Sequence, residues 1–118
     1  MEATILPTLL GFALAQLVMA RTPIHPGEIL ADELNAIGLS AAELARLFDV
    51  PANRISQIVA GRRNITADTA LRLGRYFGTS ADFWMNLQKT YELRLAERAL
   101  PGRVRKHIEH NREALVSA

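Results

Sequence analysis

The segment from Ser40 to Gly61, SAAELARLFDVPANRISQIVAG, constrains the fold of this chain more than any other. Ser40 and Glu43 have the spacing of a capping box, in which each side chain accepts a hydrogen bond from a free backbone N–H. Proline fits the first turn of a helix, so Pro51 predicts a second helix, and Gly61 suits a positive φ after its end. The apolar residues on either side of the break recur at helical spacing: Leu44, Leu47, Phe48, Ile55, Ile58 and Val59. The segment therefore predicts two short amphipathic helices joined by a tight turn.

The outer face of the second helix carries amide and guanidinium groups. At about 100° per residue, Asn53 and Gln57 lie opposite the apolar face, and Arg54 and Ser56 lie beside them. Asn and Gln side chains match the edge of adenine and Arg that of guanine, whereas a solvated surface helix favours Glu and Lys. The pattern predicts a helix-turn-helix whose second helix reads base edges in DNA. The alternative is an ordinary solvated helix.

Basic residues are concentrated around this motif. Arg62 and Arg63 follow the second helix, at the position where a DNA reader contacts phosphate. From Arg46 to Arg75 there are six arginines and two aspartates, a local net charge of +4, whereas residues 22–45 carry four acidic residues and no Lys or Arg. The whole chain has a net charge of only +2, so its basic and acidic residues are segregated into different segments. Such a basic pole favours salt-dependent binding to DNA.

Further helices are predicted on both sides of the motif. Pro26 begins one and Gly38 ends it, and we expect His25 to cap or pack against this helix rather than to bind a metal or act as a base. Thr66 caps a helix that follows the motif. The residues of that helix expected to point inward are Ala70, Leu71 and Phe77, and those expected to point outward are Arg72 and Arg75.

The next helix is predicted to start after Thr79 and Ser80 and to end near Arg98. It carries a continuous apolar stripe of Phe83, Trp84, Leu87, Tyr91 and Leu95. The stripe closes the core over the motif or, in part, forms a dimer or partner surface, because large aromatic residues are favoured anchors there. Trp84, Tyr91 and Leu95 are the candidates for such a contact, and the last two are expected to be the more exposed.

Composition narrows the class of protein. A chain of 118 residues has the length of about one domain, and 49% of it is apolar but only 6% aromatic. The absence of cysteine excludes disulfides, cysteine nucleophiles and thiolate metal sites. No phosphate-binding loop, nucleophile elbow or HExxH pattern occurs, and His107 and His110 lack a third metal ligand. We therefore expect an all-α protein that is not an enzyme and has no catalytic residue, cofactor or metal site.

From Pro23 to Arg98 the chain resembles the HigA antitoxin family, a branch of the XRE (lambda-repressor-like) DNA-binding proteins. The resemblance lies in the HPGE start, the NRIS and GRR segment, ITADTALRL, and the ending with FGTS, FW and LQ. It implies a five-helix DNA-binding domain and a homodimer that binds a palindromic operator and represses its own operon. A protein that reads DNA is expected in the cytoplasm. The resemblance also implies neutralisation of a HigB-type toxin, a ribosome-dependent mRNA endonuclease. The DNA contacts implied by position are Asn53, Arg54, Ser56, Gln57, Arg62 and Arg63.

Two alternatives to this function stay open. One is a stand-alone XRE-family regulator with no toxin partner. The other is a protein-interaction module that no longer reads DNA, against which the intact polar face argues.

The two ends of the chain differ from the domain predicted over residues 23–98. Residues 1–22 form an apolar extension that is too short, and too often interrupted by polar residues, Gly and Pro, to be a good membrane span. Our preferred interpretation places the natural start at Met19; the alternatives are an amphipathic helix that packs on the domain or a partner, and an export signal. The basic tail, residues 99–118, follows a helix stop at Leu100-Pro101-Gly102. It is expected as a short helix that contacts DNA or a toxin, or as a frayed end.

Overall fold

The structure, a computed structural model, describes residues 22–117. These residues form six α-helices and no strand, which confirms the all-α class but gives six helices rather than five. The sixth helix is the basic tail, which is helical over 16 residues. The interpretations of residues 1–21, including a start at Met19, lie outside the described residues. The helices are α1 Pro26–Ile37, α2 Ala41–Phe48, α3 Ala52–Val59, α4 Ala67–Phe77, α5 Ala81–Ala99 and α6 Gly102–Ser117.

Side-chain caps set most of the helix starts, as the sequence predicts. The N–H of Glu43 donates to Ser40 Oγ at 3.1 Å, and the N–H of Ser40 donates to Glu43 Oε1 at 2.8 Å, so the capping box is complete. These bonds to Ser40 hold the pKa of the Glu43 carboxyl below its usual range. Thr66 and Ser80 cap α4 and α5 by accepting a hydrogen bond from the N–H of Thr69 and of Phe83, respectively. The prediction for Pro51 is wrong by one position, since this residue precedes the first turn of α3 as its N-cap.

The core is formed by one face of each helix from α1 to α5. The prediction that Leu47 and Leu71 face inward is wrong, because their side chains are 60% and 58% exposed. Leu47 lies about 105° and Leu71 about 125° around its helix from the centre of the buried face, and Leu73 takes the inward position in α4. The buried apolar residues are Ile29, Leu30, Leu34, Leu44, Ala45, Phe48, Ile55, Ile58, Ile65, Ala70, Leu73, Phe77, Trp84 and Leu87.

Helix α1 begins directly on the end of α3, with no side chain between them. A Cβ atom built on Gly27 would lie 1.8 Å from the carbonyl oxygen of Ile58. His25 caps this start, since its Nδ1 accepts a hydrogen bond of 2.9 Å from the N–H of Gly27. The capping role expected of His25 is thus confirmed. The first turn of α1 and the last turn of α3 are in backbone contact.

Helix α5 covers the core and carries the three residues considered for a partner contact. Trp84 is fully buried, and its Nε1 donates to Thr79 Oγ1 at 2.9 Å. It therefore presents no surface to a partner, which corrects its inclusion among the possible contacts. Tyr91 is half-buried with its ring edge-on to His25 at 4.9 Å, and Leu95 is 44% exposed. Helix α6 buries none of its described residues.

Candidate nucleic-acid interface

The outer face of α3 is polar and accessible, as predicted. Ile55 and Ile58 are fully buried and hold the inner face of this helix in the core. On the other side, Asn53 is exposed and Gln57 is partly exposed. Ser56 is also exposed, but its hydroxyl donates to the carbonyl oxygen of Asn53 at 3.3 Å, so it is turned toward its own helix. The face thus offers two amide side chains to a ligand.

Arg54 takes part in a series of ionic contacts that connects α3 with α4. Its Nη1 lies 2.9 Å from Asp68 Oδ2, and Nε of Arg72 donates to the same oxygen at 3.0 Å. Arg72 also donates through Nη1 to the carbonyl oxygen of Phe48 at the end of α2. Hydrogen bonds from Arg72 first, and then from Arg54, hold the pKa of Asp68 below its usual range. The ionised Asp68 therefore links α3 to α4, and Arg72 links α4 to the end of α2.

Sequence reasoning did not select Asp68 as a site residue. Its pairing with Arg72 has i,i+4 spacing on one helix and is visible in the sequence. Its contact with Arg54 spans 14 residues and depends on how α3 and α4 pack.

The loop after α3 brings Arg63 back to the polar face. Nε of Arg63 donates to Oε1 of Gln57 at 2.9 Å. Arg62 is exposed, and its side chain makes no hydrogen bond or ion pair within residues 22–117. Gly61 has φ 78°, the positive value expected of it, and this lets the chain turn back after the last turn of α3. Both arginines therefore border the face of α3 that carries Gln57.

A buried glutamine fixes the far end of this loop. Oε1 of Gln88, on α5, accepts a hydrogen bond of 2.8 Å from the N–H of Ile65, and its Nε2 donates to Glu92 at 2.8 Å. Gln88 is 4% exposed, so the bond is shielded from water. Because a buried polar group must be satisfied, Gln88 ties the loop to α5. The sequence gives no signal for this role, since the two partners are 23 residues apart.

His25 lies beneath the same loop. Burial lowers the pKa of its imidazole, while the Glu28 carboxylate and the Arg63 carbonyl act in the opposite direction. Its Nε2 is buried and finds no hydrogen-bond partner among residues 22–117. The neutral ring is therefore favoured, with Nδ1 free to accept from Gly27.

Neither a metal centre nor a membrane span is present in the described part of the chain. Residues 22–117 hold no group of three or more His, Cys, Asp or Glu residues that could bind a metal ion. No helix among these residues is long and apolar enough to cross a bilayer.

The fold and the basic polar face together define a helix-turn-helix protein of the DNA-binding class.

Comparison with known proteins supports this class. Residues 30–84 match the HTH_3 family model, described as helix-turn-helix. The chain is 56% identical over 75 residues to virulence-associated protein I of Dichelobacter nodosus, an alignment that covers 63% of this chain and 69% of that protein. The chain belongs to the HigA-type antitoxins of the XRE helix-turn-helix family.

Two solved structures carry the same fold. An addiction module antidote protein of the HigA family from Coxiella burnetii has a TM-score of 0.69 and 48% identity, with 72% of this chain and 94% of that chain covered. The Pseudomonas aeruginosa antitoxin HigA, solved with the higBA promoter, has a TM-score of 0.66 and 54% identity, with 75% and 92% covered.

Proposed function

We propose that this protein binds a double-stranded operator through α3 and represses the operon that encodes it. The observation that carries the proposal is the exposed polar face of α3, bordered by Arg62 and Arg63. A fold of this kind is solved with promoter DNA in the Pseudomonas aeruginosa relative. We call α3 the recognition helix from here on.

The residues of the recognition helix divide by the chemistry they offer. Asn53, Arg54 and Gln57 carry the donors and acceptors that read base edges in the major groove. Arg62 and Arg63 carry charge at the end of the helix, where phosphate lies when the helix occupies the groove. The base contacts give sequence preference, and the two arginines give affinity that falls as salt rises.

A homodimer on a palindromic operator is the second part of the proposal. Dimers of helix-turn-helix proteins place two recognition helices about 34 Å apart, one turn of DNA. Leu95 is 44% exposed on α5 and Tyr91 is half-buried there, so this helix offers apolar area to a second copy. Light scattering after gel filtration, with and without operator DNA, gives the oligomeric state directly.

Neutralisation of a HigB-type toxin is the third part, supported by the family of the chain and by relatives named as antidotes or antitoxins. The test is co-purification with the product of a small reading frame beside the gene. Failure of any neighbouring product to bind would favour the alternative, a regulator of the same fold that has no toxin.

The experiment for DNA binding is fluorescence anisotropy on the DNA upstream of the operon and on scrambled DNA, across a salt series. We expect a specificity ratio of about a thousandfold or more, which Gln57→Ala should lower by roughly 5- to 150-fold. Asn35→Ala is the matched control, because it also removes an exposed amide but lies on α1. Equal binding of the wild-type protein to both DNAs would contradict the proposal.

A further inference from the structure

The loop between the recognition helix and α4, residues 60–66, is anchored at two positions. At the first, the N–H of Arg62 donates to the carbonyl oxygen of Gln57 at 2.8 Å. At the second, the N–H of Ile65 donates to Oε1 of Gln88 at 2.8 Å, and the side chain of Ile65 is buried. Consecutive Cα atoms are about 3.8 Å apart, so a movement of Ile65 passes along the short segment between the anchors to Arg63.

Gln88 is the part of the second anchor that comes from another helix, α5. It is 4% exposed, so its side chain is buried away from any ligand. Both ends of its amide are engaged, because Oε1 accepts from Ile65 while Nε2 donates to Glu92 Oε2 at 2.8 Å. A buried N–H that loses its acceptor carries the full cost of desolvation. Without Gln88, the N–H of Ile65 is therefore driven toward water, and the loop is released.

The released loop is the one that carries charge at the end of the recognition helix. Arg62 and Arg63 are both exposed on it. A charge-assisted hydrogen bond to phosphate is made at about 2.7–2.9 Å, so a displaced backbone must be offset by a rearranged side chain. A fixed backbone also leaves less conformational freedom to be lost on binding. The position of the loop therefore governs how well these arginines bind phosphate.

We propose that Gln88 is a positioning residue for DNA binding. It holds the loop that carries Arg62 and Arg63, and the Glu92 carboxylate holds Gln88 in the orientation that accepts from Ile65. This rests on the DNA-binding function proposed above. A buried side chain of α5 thus sets the affinity for phosphate at the end of the recognition helix, although it contacts no DNA.

The first test is Gln88→Leu, measured by fluorescence anisotropy on operator and scrambled DNA across a salt series. Leucine is of similar size and equal charge but has no acceptor for Ile65. We expect weaker binding to both DNAs and a salt slope, the change of log affinity with log salt concentration, that is lower by about one unit. Amide hydrogen exchange followed by NMR should show faster exchange at Ile65.

Leu34→Ala is the control that separates positioning from stability. Leu34 is buried and lies about two turns along α1 from Gly27, the residue in contact with the recognition helix. The cavity lowers Tm but should leave the salt slope unchanged. Binding is measured well below the Tm of every variant, so that all of them are folded.

Exchange of the two hydrogen-bonded side chains tests the pair independently of Gln88→Leu. Gln88→Glu alone places two carboxylates within hydrogen-bond distance and should weaken binding. Gln88→Glu/Glu92→Gln keeps both bonds, because the new carboxylate accepts from Ile65 and from the new amide. This double variant has the wild-type net charge and should recover the wild-type affinity and salt slope. Gln88→Glu/Glu97→Gln is the matched control, since it has the same net charge without the pair and should not recover.

Two kinds of result would overturn the inference while leaving the proposed function intact. One is a folded Gln88→Leu protein with the wild-type salt slope, or an equal fall of the slope in Leu34→Ala. The other is equal behaviour of the two double variants. Equal binding of the wild-type protein to operator and scrambled DNA would overturn the function on which the inference rests.

Discussion

Substitution of Gly27 by alanine tests the backbone contact between α1 and the recognition helix. The added Cβ would lie 1.8 Å from the oxygen and 2.8 Å from the carbon of the Ile58 carbonyl. The two groups must separate by about 1.6 Å to reach ordinary contact at 3.4 Å. Because the obstructing atoms are backbone, no change of rotamer can relieve the clash.

The expected cost follows from this distance. Overpacking of a rigid site costs about 1–3 kcal/mol and occasionally more, and the helix preference of alanine offsets up to about 1 kcal/mol. We expect Gly27→Ala to lower the free energy of unfolding by about 2–3 kcal/mol, which corresponds to a fall in Tm of roughly 10–20 °C. The cap is not the cause, because alanine keeps the N–H that donates to His25.

Urea denaturation, followed by circular dichroism and by Trp84 fluorescence, measures this change. Gly102→Ala is the matched control, since its Cβ would meet nothing within 4 Å. It should leave the free energy of unfolding unchanged or raise it by up to about 1 kcal/mol. A Gly27→Ala protein within about 0.5 kcal/mol of the wild type would refute the argument, as would an equal loss in Gly102→Ala.

Three further substitutions probe the interface and its support. Gln57→Ala should lose about 1–3 kcal/mol of binding on the operator and little on scrambled DNA, measured by anisotropy. Asp68→Ala removes the partner of Arg54 and one negative charge, so non-specific affinity should rise and the salt slope steepen by about one unit, while the specificity ratio falls. Burial lowers the pKa of His25 from 6.5 in the folded protein, so the unfolded chain binds more protons as the pH falls below 6.5. The contribution of His25 to stability therefore declines below that pH and is constant above it. His25→Asn keeps a side-chain acceptor for Gly27 and should weaken this decline in urea titrations between pH 5 and pH 8; an unchanged decline would assign it to other groups.

The helix boundaries could be predicted because local chemistry sets them. Ser40 and Glu43 find their partners within one turn, and the glycines at the helix ends take positive φ whatever packs around them. The inward faces were harder to predict. Leu47 and Leu71 continue an apolar pattern, yet neighbouring helices do not extend around to cover them.

The candidate site shows the same division between local and distant determinants. Helical geometry alone places Asn53 and Gln57 opposite the buried face. The contacts that orient the reading groups join residues in different elements, such as Arg63 with Gln57 and Arg54 with Asp68. Such pairs depend on the path of a loop or the packing of two helices, which spacing in the sequence does not specify.

The way in which the recognition helix is packed also determines how the DNA sequence preferred by this protein can be changed. The helix is held by Ile55 and Ile58, which are fully buried, and by backbone contact at Gly27. Its outward side chains, including Asn53 and Gln57, contribute nothing to the core, and exchanging such residues alters stability by only about 0.5 kcal/mol. Retargeting to a new operator therefore requires few substitutions and no redesign of the scaffold. A library varied at the outward positions alone should yield folded proteins with new sequence preferences.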